Sequence, residues 1–121
     1  MKAFEDLAAW QGARQVVNGV YALTRKAGLV KDLGLCGQIQ RAAVSVMSNL
    51  AEGFERLHRP EKLQFYNVAR GSCGEVRSLL YVMADNYPAL AEPTAQWRAE
   101  VARVGRQITG LVHSTQRKSG E

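Results

Sequence analysis

The chain has 121 residues, 46% hydrophobic, 22% charged and 7% aromatic, and its 16 lysines and arginines outnumber 11 acidic residues to leave a net charge of +5. That length supports one hydrophobic core, so a single domain over residues 1–121 is expected. No apolar run approaches the ~20 residues that span a bilayer, and Met1-Lys2-Ala3-Phe4-Glu5-Asp6 lacks the apolar stretch of a signal peptide, so a cytoplasmic location is expected.

Four helical stretches follow one another, with no internal repeat. The first is predicted from Phe4 to Lys26, with a seam of Leu7, Trp10, Ala13, Val17, Val20 and Thr24. A second line on the same helix, Gly12, Val16, Gly19 and Leu23, also keeps helical spacing. Gly12 and Gly19 lie seven residues apart on nearly one face. Each glycine costs a helix roughly 0.5–1 kcal/mol relative to alanine, which suggests that another helix comes close there. A helix of an isolated bundle needs one apolar face, so the second line points to self-association.

Gly28 and Gly34 are expected to bracket an irregular connection before a second helix, Leu35 to His58. Within it, Ala42, Ala43, Val46, Leu50 and Gly53 recur at the three-and-four spacing of one helix face. Asn49 and Glu52, one turn apart near this seam, each call for a partner other than water. A structural polar network satisfies that need, and chemistry by Asn49 and Glu52 is the alternative. Arg41, at the head of the same segment, suits a pair with Glu52 or Glu75.

Pro60 fits the first turn of a third helix that Tyr87-Pro88 ends, and Glu61 favours its amino end. Its seam is Leu63, Tyr66, Ala69, Cys73, Val76, Leu80 and Met83, widened by Phe65, Val68, Leu79 and Val82. Gly71-Ser72-Cys73-Gly74 has the look of a phosphate loop but lies within a periodic helix with no strand before it. Thr94 is the expected cap of a fourth helix whose Trp97, Val101, Val104, Ile108 and Leu111 form an a/d pattern. A polar tail over 115–121 is expected to fray. The fold class is therefore all-α, an antiparallel up-and-down four-helix bundle.

The segment Gln38-Ile39-Gln40-Arg41 leading into Ala42 through Gly53 resembles a bacterial four-helix-bundle family that includes the proteins encoded in intervening sequences of large-subunit ribosomal RNA genes. Phe4-Glu5-Asp6-Leu7 with Trp10-Gln11 is similar to that family's opening. Tyr21-Ala22-Leu23-Thr24 is similar to the end of its first helix, and Ala69-Arg70-Gly71-Ser72 with Glu75-Val76-Arg77-Ser78 to its third. Met47 stands where the family usually has proline, so the kink expected there is missing. A shorter likeness, Val101 to Arg106, is to the accessory proteins of diversity-generating retroelements. The resemblance implies a homo-oligomer, most often a pentameric ring, that works with RNA, DNA or a reverse transcriptase.

Chemistry-bearing motifs are few. Cys36 and Cys73 have no metal-ligand spacing and read as small core residues, and His58 and His113 are far apart in sequence with no Cys or carboxylate at ligand spacing. No metal, cofactor or catalytic residue is assigned, and the protein is expected not to be an enzyme. Basic residues form rows instead. Arg70 and Arg77 share a stripe with Asn67, Gly74 and Tyr81, while Arg103, Arg106 and Arg117 fall near Gln107 and His113 on the fourth helix. Arg56, Arg59 and Lys62 gather at the second turn. Phosphate recognition uses cations spread along a surface with polar side chains between them, so Arg70, Arg77, Arg103, Arg106 and Arg117 are the candidate nucleic-acid contacts. Arg41, Asn49, Glu52 and Gly53 are the structural motif.

Overall fold

A computed structural model describes residues 2–117. Its four helices are α1 (Ala8–Thr24), α2 (Leu33–Glu55), α3 (Arg59–Asn86) and α4 (Ala91–Arg117), preceded by a 3-10 turn at Phe4–Asp6. Each helix packs on the next, and α4 closes the ring against α1. The bundle is all-α and antiparallel, as the periodicity predicts. No helix among the described residues is long and apolar enough to cross a membrane.

The helix boundaries follow local chemistry. Gly28, at φ 88°, turns the chain after α1, a conformation that glycine adopts without a Cβ penalty. Asp32 then caps α2, its Oδ1 accepting from the Leu35 amide at 3.2 Å. That cap starts α2 at Leu33, so Gly34 lies inside the helix and does not bracket the turn as expected. The Asp32 Oδ2 accepts from the Tyr87 hydroxyl at 2.9 Å, tying this turn to the far end of α3. The same hydrogen bond holds the Tyr87 hydroxyl above its ordinary pKa. Helix α2 runs unbroken through Met47, and Pro60 sits in the first turn of α3.

Thr94 is not a cap. The chain enters α4 through a 3-10 turn at Pro88–Leu90, and the Thr94 hydroxyl donates backward to the Leu90 and Ala91 carbonyls at 2.8 and 2.9 Å. Thr94 is fully buried, and this back-bonding satisfies its hydroxyl. Helix α4 continues through Gln116 and Arg117, so the start of the expected frayed tail is helical, and residues 118–121 lie outside those described.

The core is built from all four helices. Ala13 and Val20 of α1 meet Ile39, Ala43 and Leu50 of α2, Ala69, Val76 and Leu80 of α3, and Ile108 of α4. Both apolar lines of α1 are used inside the chain. Val16, Gly19 and Leu23 are buried, and the glycines face α4: a Cβ on Gly12 would meet Val104 Cγ2 at 2.9 Å, and one on Gly19 would run into the Trp97 indole. The expected close approach is therefore present, but the approaching helix is α4 of the same chain. Valines 68 and 82, expected to widen the α3 seam, are instead exposed on its outer side.

Candidate nucleic-acid interface

Several residues of the motif over 41–53 make contacts within the bundle. Ser45 of α2 and Ser72 of α3 share a hydroxyl hydrogen bond at 2.9 Å, and the Asn49 amide donates to the Ser45 carbonyl at 2.8 Å and to its hydroxyl at 3.0 Å. Asn49 thus braces the hydroxyl that joins the two helices. Gly53 is buried beneath α3, where a Cβ would come within 2.7 Å of the Tyr66 ring. Lys62 closes this end by donating to the Phe54 carbonyl at 2.6 Å, the placement of a cation at a helix C-terminus.

Two members of the motif depart from expectation. Glu52 is exposed and needs no partner but water. Arg41 is exposed too, and among the described residues no ion pair joins it to Glu52 or Glu75. Its guanidinium folds back one turn over Gly37, 3.0 Å from where a Cβ would stand. On the outward side of α2, solvation is less costly than ordering such a pair.

Both cysteines are buried free thiols. The Cys36 thiol donates to the Leu29 carbonyl at 3.2 Å. Burial pushes the Cys73 thiol up to about 11, against a smaller lowering by Arg77, and it raises Cys36 as well. At neutral pH both are uncharged core groups. Among the described residues no three His, Cys, Asp or Glu side chains gather closely enough to hold a metal.

The arginine rows fall on different sides of α4. On α3, Asn67, Arg70, Arg77 and Tyr81 are all exposed along the edge that borders α4. A cavity of about 510 Å³ opens at one end of this edge, lined by Asn67, Arg70, Thr109 and His113 among others. At the other end the Arg98 guanidinium lies over the Tyr81 ring, 4.1 Å from its centre. Arg106 and Arg117 project from the outer row of α4, eleven residues apart and therefore nearly aligned. Arg103 points away toward α1, where it forms an ion pair with Glu100 at 4.0 Å and borders a small cleft with Gln11 and Gln15. Arg70, Arg77, Arg106 and Arg117 are thus exposed on α3 and α4, and Arg103 lies apart from them on the side toward α1.

Arg98 is not among the contacts that the sequence predicts. It follows Trp97, a seam residue, and one step of 100° along a helix carries it to the α3 side, so its place was available from the α4 pattern. The basic cluster at the second turn is largely used internally. Arg56 lies over the Phe65 ring at 4.6 Å, and Lys62 caps α2. Arg59 and Lys62 border a cavity of about 690 Å³, whose walls include Leu7, Phe54, Tyr66 and Leu111.

No curated protein matches the chain. The family model described as 23S rRNA-intervening sequence protein matches residues 5–110. That match covers all four helices apart from the last turns of α4, and the chain belongs to the 23S rRNA-intervening sequence protein family.

Proposed function

We propose that the protein is a non-enzymatic, basic, oligomeric bundle that binds structured RNA. The observation that carries this proposal is the surface spanning Arg70, Arg77, Arg106 and Arg117, four exposed arginines that have no carboxylate partner among the described residues. An unpaired cation on a surface keeps its field available to phosphate, whereas a paired one first has to give up its partner. The family's name supports an rRNA-related role. Assembly into a pentamer, which the family resemblance implies, multiplies the +5 charge of each chain and lets weak contacts act together. Exposed Val68 and Val82 on α3 and Leu57 at the second turn are apolar groups available to such an assembly.

The test is a salt titration of binding to a structured RNA and to duplex DNA of equal length, with the assembly state followed by light scattering. Binding is expected to fall steeply with salt and to show little sequence preference. Changing Arg103 and Arg106 together to Glu is expected to weaken it at least tenfold at low salt without unfolding the bundle, since each lost phosphate contact reduces the electrostatic gain. Absence of binding at low salt with the oligomer intact would turn the assignment to a protein partner, the reverse-transcriptase accessory role being the foremost. A monodisperse 13.3 kDa species would remove the oligomer from the proposal.

A further inference from the structure

We propose that Tyr81 and Arg98 form a stacking seat for one unpaired nucleotide of a bound strand, an inference that rests on the nucleic-acid reading above and specifies how that surface grips. Tyr81 is 53% exposed although the Arg98 guanidinium covers one of its faces. The open ring surface therefore borders solvent at the edge between α3 and α4. An aromatic face of this kind stacks any base with little sequence preference, and a guanidinium plane behind the ring pre-orders it by cation–π attraction.

The guanidinium itself is incompletely satisfied. Arg98 Nη1 is buried and has no hydrogen-bond partner among the described residues. A charged donor left in that state is unfavourable, and Arg98 has no ion pair with any carboxylate among the described residues, including exposed Asp85 one turn beyond Tyr81 on α3. An anionic acceptor arriving at this edge meets the charge of the guanidinium while it stays over the ring. A nucleotide brings both requirements together, a flat base for the ring and a phosphate for the guanidinium. Arg77 lies one turn back from Tyr81, and Arg70 two turns further, on the same exposed stripe. They continue the cationic track along which the adjoining phosphates of the strand run. Duplex bases are already stacked on one another, so the seat favours unpaired nucleotides.

The experiment measures binding of full-length protein to a labelled oligouridylate, the matching oligothymidylate, and a duplex of equal length at low salt. The wild type is expected to bind the single strands more tightly than the duplex. Tyr81→Leu, which keeps apolar bulk but removes the π face, is expected to weaken strand binding by roughly fivefold to a hundredfold while duplex binding changes by less than about twofold. Tyr81→Phe is expected to behave as wild type, and Arg98→Lys to weaken strand binding because a lysine loses the planar stack. Circular dichroism checks that each variant remains helical. A preference for either single strand supports the seat and identifies its source. If Tyr81→Leu leaves strand binding unchanged, or weakens strand and duplex alike, while the paired Arg103→Glu and Arg106→Glu change weakens both, the seat is overturned and nucleic-acid binding stands. If the wild type binds none of the three, both fail together.

Discussion

The α1–α4 seam and the α2–α3 seam solve the same packing problem with different chemistry. In the first, Gly12 and Gly19 clear space for Val104 and the Trp97 indole, so large side chains of one helix rest on the bare backbone of the other. In the second, Ser45 and Ser72 meet through their hydroxyls, with Asn49 bracing them and only Gly53 making room for a ring. Small residues mark both seams in the sequence, yet they do two jobs. At α1–α4 they admit bulk, and the seam is set by shape. At α2–α3 they bring polar groups within reach, and the seam is set partly by direction. Shape tolerates no added atom, whereas a half-buried hydroxyl pair can exchange its partner for water.

The largest expected effect therefore lies at Gly19. Gly19→Leu drives a side chain into the Trp97 ring, and overpacking of this kind costs typically 1–3 kcal/mol and at times more. The better helix propensity of leucine returns up to about 1 kcal/mol, which does not offset a collision with a rigid indole. Urea denaturation should show a loss of about 3 kcal/mol or a chain that fails to fold. The companion change Trp97→Val should recover part of it. Unchanged stability in Gly19→Leu would mean that α1 and α4 are further apart than described.

Gly53 ranks next and carries the comparison to the other seam. An alanine there meets the Tyr66 ring at 2.7 and 2.8 Å and the Phe65 Cβ at 3.0 Å. Tyr66 is buried and has little room to withdraw. Gly53→Ala should lower stability by about 1–3 kcal/mol, measured by the same denaturation. Full stability would show that α3 can shift outward at this end.

These two glycines also show what the sequence holds and what it omits. Spacing alone located the small-residue line of Gly12 and Gly19 and implied a close neighbour. It did not say whose helix that neighbour was, because periodicity reports that a face is occupied and not by which chain. Every helix of a four-helix bundle lies between two others, so α1 needs an apolar face toward α2 and another toward α4 within one chain. Two apolar faces on α1 are therefore accounted for within one chain and do not by themselves imply self-association. Trp97 and Val104 belong to the seam that the a/d pattern predicts, and the match of their size to the glycines opposite pairs α4 with α1. The candidate arginines were legible as exposed rows for the same periodic reason. The Arg98–Tyr81 contact was not, since side-chain stacking across helices depends on register, which no single helix reveals.

Asn49 tests the polar seam directly. Asn49→Ala removes the amide that donates to Ser45 while leaving the Ser45–Ser72 pair in place. The expected loss is about 1 kcal/mol, the usual net value of such a hydrogen bond. The double change Asn49→Ala with Ser72→Ala should cost less than the sum of the two single changes, because both act on the same hydroxyl. Strict additivity would separate Asn49 from the network and leave it a local brace of α2 alone.

The smallest effect is expected at Glu52, three residues further along the same helix, and it sharpens the contrast because sequence spacing gives both residues equal standing. One step of three residues turns the helix by about 300°, which moves Glu52 from the seam edge that holds Asn49 to the solvent side, where it is exposed and makes no ion pair among the described residues. Glu52→Gln keeps the shape and removes the charge, so stability should change by no more than about 0.5 kcal/mol, the range of surface substitutions away from special contacts. Thermal melts of Glu52→Gln and Asn49→Ala, run side by side with the assembly state followed, separate the possibilities. A shift at Asn49 alone places the polar requirement inside the chain, at Ser45 and Ser72. A shift at Glu52 that disappears on dilution would place its carboxylate at a contact between chains, and the structural role of the motif would then extend from the bundle to its assembly.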